Sequence, residues 1–346
     1  MRTRNRAWLA LPVVLLLWAP QRAPALPATA PSVAEEHSHG PDGLELDPRG
    51  RGRIPVSFAV DDVLTPTWSA TEYDGQVNEA NIADLTTLPK VHLVYVHPSD
   101  AGSDAASRFA KFAAMFQADA RAASQLLGSL YARGIRLDER PHSSVAGTTV
   151  ADITIVKSAY TSRQLATSRQ FTYVHNDLER VFPTASFPGM KFVAWLDAGS
   201  RYCGQGHLYQ DTRREAQNDS DNKRTTGIVY RPYDASGPDG GFCRGRTFLH
   251  ELGHNLGAVQ KVAPHAFDGA HCNDDKNDAM CYTKESAFDS GSPQFDYKHD
   301  DYWDPGATAS GNPSSPAEKL KWWAVNLSRF VCPVDGCTSA NTSPGY

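Results

Sequence analysis

The chain has no long apolar run beyond its first twenty residues, no stripe of lysine and arginine, no internal repeat and no cysteine before Cys203. Each absence excludes something. Spanning hydrocarbon takes roughly 20 apolar residues, so only the N-terminus could enter a bilayer as a helix. Phosphate binding needs a basic surface, which excludes nucleic acid as a partner. Without a repeat there is no solenoid or propeller. Without an early cysteine, no N-terminal pro-segment can silence a metal through a thiolate.

What is present begins with export. Arg2, Arg4 and Arg6 precede the apolar run Ala7 to Pro20 and the small-x-small site Ala23-Pro24-Ala25, the order of a secretory signal peptide. That run is about 14 residues, too short for an anchor, so cleavage after Ala25 and a secreted, extracellular protein are expected. Four of the 34 Lys and Arg lie before the cleavage point, leaving 30 against 39 Asp and Glu, a formal charge of −9. All six cysteines remain. An even number in an exported chain points to disulfides, and of the 15 connectivities open to six cysteines proximity favours Cys203–Cys243, Cys272–Cys281 and Cys332–Cys337.

Residues 26–53 are rich in Pro, Gly, Ala, Glu and His without an apolar period, which reads as a flexible leader or short pro-segment contributing little to a core. Residues 54–346 then form one catalytic domain. The β-branched runs at Val91–Val96, Val150–Val156 and Lys191–Leu196 predict strands, with a short one at Gly227–Tyr230. Between them, Ala105–Tyr131 repeats Phe109, Phe112, Phe116, Leu126, Leu127 and Leu130 at helical steps, and a second helix ends near Val181. Strands alternating with helices predict an α/β (α+β) fold with a mixed, twisted sheet and packed helices. Residues 202–241 are expected at the sheet edge. Pro316–Phe330 is expected to be a helix.

Chemistry concentrates in Thr247-Phe248-Leu249-His250-Glu251-Leu252-Gly253-His254-Asn255-Leu256-Gly257. Leu249, Leu252 and Leu256 recur at helical spacing. His250 and His254, four apart, then lie one turn above the other and can share a metal ion. Glu251 can reach a water held by that metal without being a ligand. Zn²⁺ suits imidazole ligands, and with one open position it lowers its water's pKa to about 7, so that Glu251 can take the proton and pass it to a leaving amine.

The segment resembles the metzincin zinc metalloproteases, whose signature is H-E-x-x-H-x-x-G-x-x-H followed by a methionine turn. His250, Glu251, His254 and Gly257 match; Gln260 stands where the third histidine belongs. An amide is a poor zinc ligand beside two imidazoles. His265 and His271 can each supply the third ligand; His265 is the one expected, because it needs the shorter loop. The resemblance implies a two-lobed catalytic domain, a turn carrying Met280 beneath the metal, and Tyr282, two residues on, contacting zinc or stabilising an oxyanion. Residues 257–282 are also similar to a set of bacterial secreted proteins described only as metallopeptidase-like, which makes Gln260 a subgroup trait.

A rival geometry would take the third ligand from Glu285 in an E-x-x-x-D pattern ending at Asp289. The Ser290-Gly291-Ser292-Pro293 that follows leaves too little chain for its helix. Asn273–Asp278 and His299–Asp301 cluster oxygen donors that could take Ca²⁺, although no EF-hand pattern is present and a solvated loop is the expected reading. The leading expectation is a secreted zinc endopeptidase acting on protein or peptide substrates. A catalytically silent binding or adhesion module, favoured by Gln260, and a zinc hydrolase of a non-peptide amide are the alternatives.

Overall fold

In chain order the elements are β1 (Ala34–Ser38), β2 (Val91–His97), α1 (Asp104–Tyr131), β3 (Arg133–Ile135), β4 (Glu139–Pro141), β5 (Thr149–Ala151), β6 (Ile153–Lys157), α2 (Ser162–Leu165), α3 (Gln170–Val181), β7 (Lys191–Ser200), β8 (Gly204–Tyr209), α4 (Asp219–Asn222), β9 (Thr225–Pro232), α5 (Arg246–Asn255) and β10 (Val331–Pro333). This is a computed structural model. It describes residues 34–38, 89–101, 104–131, 133–141, 149–184, 189–214, 218–232, 242–243, 246–267, 270–274, 278–281, 295–304 and 323–333.

A six-stranded sheet runs in the order β1-β8-β9-β7-β2-β6. β6, β2, β7 and β9 are parallel, and β8 lies antiparallel against β9. Parallel strands are covered on both faces and so read as continuous apolar runs, which is why Val91–His97 is buried at every position. Successive side chains leave a strand on opposite faces, and two cores result. Leu93, Tyr95, Val193, Trp195 and Val229 meet α1 and α5 through Phe109, Phe116, Phe248 and Leu252. Val94, Val96, Phe192, Ala194, Leu196 and Ile228 meet α3 through Phe171, Val174 and Leu178. Trp195 links both helices of the first core, stacking on Phe116 at 4.2 Å and on Phe248 at 5.5 Å.

The expected α/β class and mixed sheet are observed. Two expectations change. Within the leader, residues 34–38 form a strand paired with β8: an exposed row of backbone N–H and C=O groups accepts any extended segment whatever its composition. At the other end, the described part of the expected 316–330 helix is a single 3₁₀ turn, Val325–Leu327. There Trp323 Nε1 donates to the Leu256 carbonyl and Ser328 Oγ to Asp221, which bind the segment side-on to the domain. The proposed signal peptide and Glu285–Asp289 lie outside the described residues. Among those described, no helix is long and apolar enough to cross a membrane.

Candidate metal centre

α5 is buried on nearly every side, with β8 and β9 on one flank and the 270–281 loop on the other. It ends where the sequence breaks it. Gly257 adopts φ +97°, the Gly257 N–H donates to the His254 carbonyl at 2.9 Å, and the Ala258 N–H donates to the Gly253 carbonyl at 3.0 Å. This pair of bonds is a Schellman closure, whose left-handed position favours glycine.

His250 and His254 share a face of α5, and their Nε2 atoms are 3.0 Å apart. The third imidazole comes from the loop: His271 Nε2 lies 3.2 Å from His250 Nε2. All three rings are buried. His250 Nδ1 lies 2.6 Å from the Ala279 carbonyl and His254 Nδ1 3.1 Å from that of Ala258. A carbonyl can only accept, so each Nδ1 carries a proton, and the neutral form of either ring then presents its lone pair at Nε2. Lone pairs converging at such distances repel unless a cation sits among them. A tetrahedral ion with Zn–N bonds of 2.0–2.1 Å places its nitrogens about 3.3 to 3.4 Å apart, so the three residues fit a zinc-sized ion.

The loop that delivers His271 is anchored from several directions. Cys272 is bonded to Cys281, and the Phe267 N–H donates to the His271 carbonyl. Arg246 Nη2 donates to the carbonyls of Asp278, Ala279 and Cys281 at 2.6, 3.3 and 3.2 Å. Met280 is buried and packs its sulfur on α5 where a Cβ added at Gly253 would lie 2.5 Å from it. Asp278 accepts from Met280 N–H and Tyr302 OH. Burial pushes the Asp278 carboxyl above its ordinary range, against the lowering effect of those donors.

His265, the expected third ligand, is elsewhere. Its N–H donates to Asp301 Oδ1 at 2.9 Å, and its Nδ1 lies 3.2 Å from Asp301 Oδ2 and 3.6 Å from Asp274. The shorter loop is therefore spent on a second cluster of His265, Asp274, Asp300 and Asp301, and the chain reaches the metal face only after Ala270. Burial pushes Asp301 up to about 7, with Asp274 and Asp300 adding to the rise and His265 opposing it. Gln260 is buried beside Gly257, its Nε2 donating to the carbonyls of Gly257 at 2.7 Å and Tyr209 at 3.0 Å. It ties the helix exit to the end of β8. Tyr282 lies outside the described residues.

Glu251 is buried with its carboxylate over β8, so close that a Cβ added at Gly204 would lie 2.0 Å from Oε1. Only a strand without a side chain there lets the carboxylate fit. Cys203–Cys243 joins the approach to β8 to the segment before α5. Cys332 is also disulfide-bonded, while Cys337 lies outside the described residues. The cue to His271 in the sequence is its place beside Cys272.

No protein-family model matches the chain, and no curated protein does. The solved structures similar to the chain include catalytically inactive OgpA from Akkermansia muciniphila in complex with an O-glycopeptide substrate, glycodrosocin, at 12 % identity and a TM-score of 0.33. The match covers 60 % of this chain and 57 % of that one.

Proposed function

We propose that this chain is a secreted zinc-dependent peptide hydrolase, with His250, His254 and His271 holding the metal and Glu251 moving the proton. The observation that carries the proposal is the convergence of three buried Nε2 atoms, two of them on rings whose Nδ1–H donates to a backbone carbonyl, with a buried glutamate next to His250 in the chain. The H-E-x-x-H-x-x-G spacing and Met280 packed on α5 support the metzincin resemblance. Two disulfides are compatible with an extracellular protein.

Zinc, when bound, supplies Lewis acidity and makes water nucleophilic at neutral pH. His250, His254 and His271 would hold it through their Nε2 atoms. Glu251, on the turn between the two helical ligands, accepts a proton from the attacking water and returns it to the leaving amine. Met280 and Arg246 hold the loop so that His271 meets the helix in register. Tyr282 is proposed as an oxyanion donor through the resemblance. Residues 1–25 are proposed as the signal peptide, 26–53 as a leader or short pro-segment and 54–346 as the catalytic domain.

Gln260, which favours a silent module in the sequence, ties the end of α5 to β8, and His271 is proposed to complete the ligand set in its place. The silent reading thereby loses its motive. Metal content of the purified protein, measured beside casein hydrolysis by wild type and Glu251→Ala, tests the proposal. Stoichiometric zinc in both and cleavage by wild type alone is expected; zinc with no wild-type cleavage would redirect the site to a non-peptide amide or a silent role.

A further inference from the structure

β8 would be the open edge of the sheet were it not for β1. Ala34 to Ser38 run antiparallel along it, from Ala34 opposite Tyr209 to Ser38 opposite Gln205, with His37 opposite Gly206. The same stretch of β8 carries the candidate catalytic carboxylate: added Cβ atoms at Gly204 and Gly206 would meet Glu251 at 2.0 and 2.7 Å. A segment from the leader is therefore laid as an extended strand alongside the strand on which Glu251 rests.

An edge strand binds extended backbone through its free N–H and C=O groups, the mode by which many proteins take up a peptide as an added strand. We infer that residues 34–38 are an internal plug on a peptide-accepting edge, so that the chain with its leader in place excludes peptide substrates and release of β1 admits them. This rests on the peptide-hydrolase reading. The leader has no cysteine, and the device needs none, because it occupies the main-chain ladder and leaves the metal alone.

The sequence of the plug suits removal. Ala-Glu-Glu-His-Ser has no β-branched or aromatic residue and two acids, a poor strand by propensity. Five such residues bind an edge weakly from free solution. Attached to the domain, they act at the effective concentration that a tether supplies. One cut between Ser38 and β2 would make the contact bimolecular, and the strand would leave.

The test uses the full zinc-loaded chain and the double substitution Glu35→Pro/Glu36→Pro. Alternate residues of an antiparallel strand donate to the partner, so two successive prolines must remove at least one ladder N–H. Glu35→Ala/Glu36→Ala removes the same charges and keeps both donors. We expect amide exchange over Gly204–Tyr209 to rise at least roughly tenfold in the proline variant, the change that loss of one ladder hydrogen bond corresponds to, and to stay near wild type in the alanine variant. A fluorescent peptide of residues 32–40, titrated to a concentration that makes up for the lost tether, should bind the proline variant weakly and wild type not at all, and casein cleavage should rise in the proline variant alone. Equal exchange in wild type and proline variant, equal peptide binding, or strand release without any gain of cleavage in an active enzyme overturns the inference. If release and peptide binding occur but neither protein cleaves casein, the occupied edge stands and the hydrolase reading fails.

Discussion

His271 places its Nε2 3.2 Å from that of His250, although 21 residues separate the two in sequence. His265, closer along the chain, is paired with Asp301 instead. His271→Ala should therefore weaken zinc binding by more than about 100-fold, beyond what loss of a supporting hydrogen bond costs a metal site. His265→Ala should bind zinc like wild type. Chelator competition reads both, and the reverse pattern would return the third ligand to His265.

Glu251→Gln should keep its zinc and lose roughly 10²- to 10⁴-fold in kcat, the range for removing a positioned proton carrier. Gly204→Ala should act on the same group from the strand side, since its Cβ would lie 2.0 Å from Glu251 Oε1. A lowered kcat with zinc content unchanged is expected for both. Normal turnover in Glu251→Gln would remove Glu251 from the mechanism.

Breaking Cys272–Cys281, whose residues are 9 apart, should cost about 2.5 to 3 kcal/mol on the chain-entropy account. The local effect should come first. The Cys272→Ser/Cys281→Ser variant should lose zinc affinity at temperatures where far-ultraviolet circular dichroism remains native, because His271 adjoins the bridge. Coincident loss of zinc affinity and secondary structure would refute that order.

Asp138 is buried, which raises its pKa, but donors from His92 and Lys90, both at 2.9 Å, outweigh burial and hold it below the ordinary carboxylate range. A depressed folded value gives stability that is present above the unfolded pKa of about 4 and is lost as pH falls through the folded value. Asp138→Asn should lower Tm at pH 7, the cost of breaking a buried pair being about 3 kcal/mol. The difference from wild type should shrink on acidification below about pH 4. A difference independent of pH would mean that packing, not charge, sets the cost.

Much of the scaffold was legible because its signals are local. The steps of Phe109, Phe112 and Phe116 place a helix at 105–131, observed at 104–131, and the apolar runs of β2 and β7 survive because both faces are covered. The two observed disulfides join cysteines that are neighbours in sequence order. β8 was harder: Gly-Gln-Gly-His-Leu-Tyr is poor in strand formers, and its glycines are there for the approach of Glu251. Loop length alone pointed to His265, whereas the path of the loop depends on Asp301, Arg246 and the Cys272–Cys281 bridge, all set by tertiary contacts. β1 has no signal in its own residues, since its pairing belongs to the partner edge.

Arg246 opens α5, yet its guanidinium gathers the carbonyls of Asp278, Ala279 and Cys281. The first turn of the helix and the loop carrying the third imidazole are thus parts of one cooperative opening unit, in the sense in which native proteins unfold by sub-global pieces. With the Cys272–Cys281 bridge intact as well, heat or denaturant should not fray the loop and spare the helix, so loss of a bound metal and exchange of the innermost amides of α5 should share one opening free energy. While the Cys272–Cys281 bridge holds, a site built this way would open in a single step; only with the bridge cut could two imidazoles stay in place without the third.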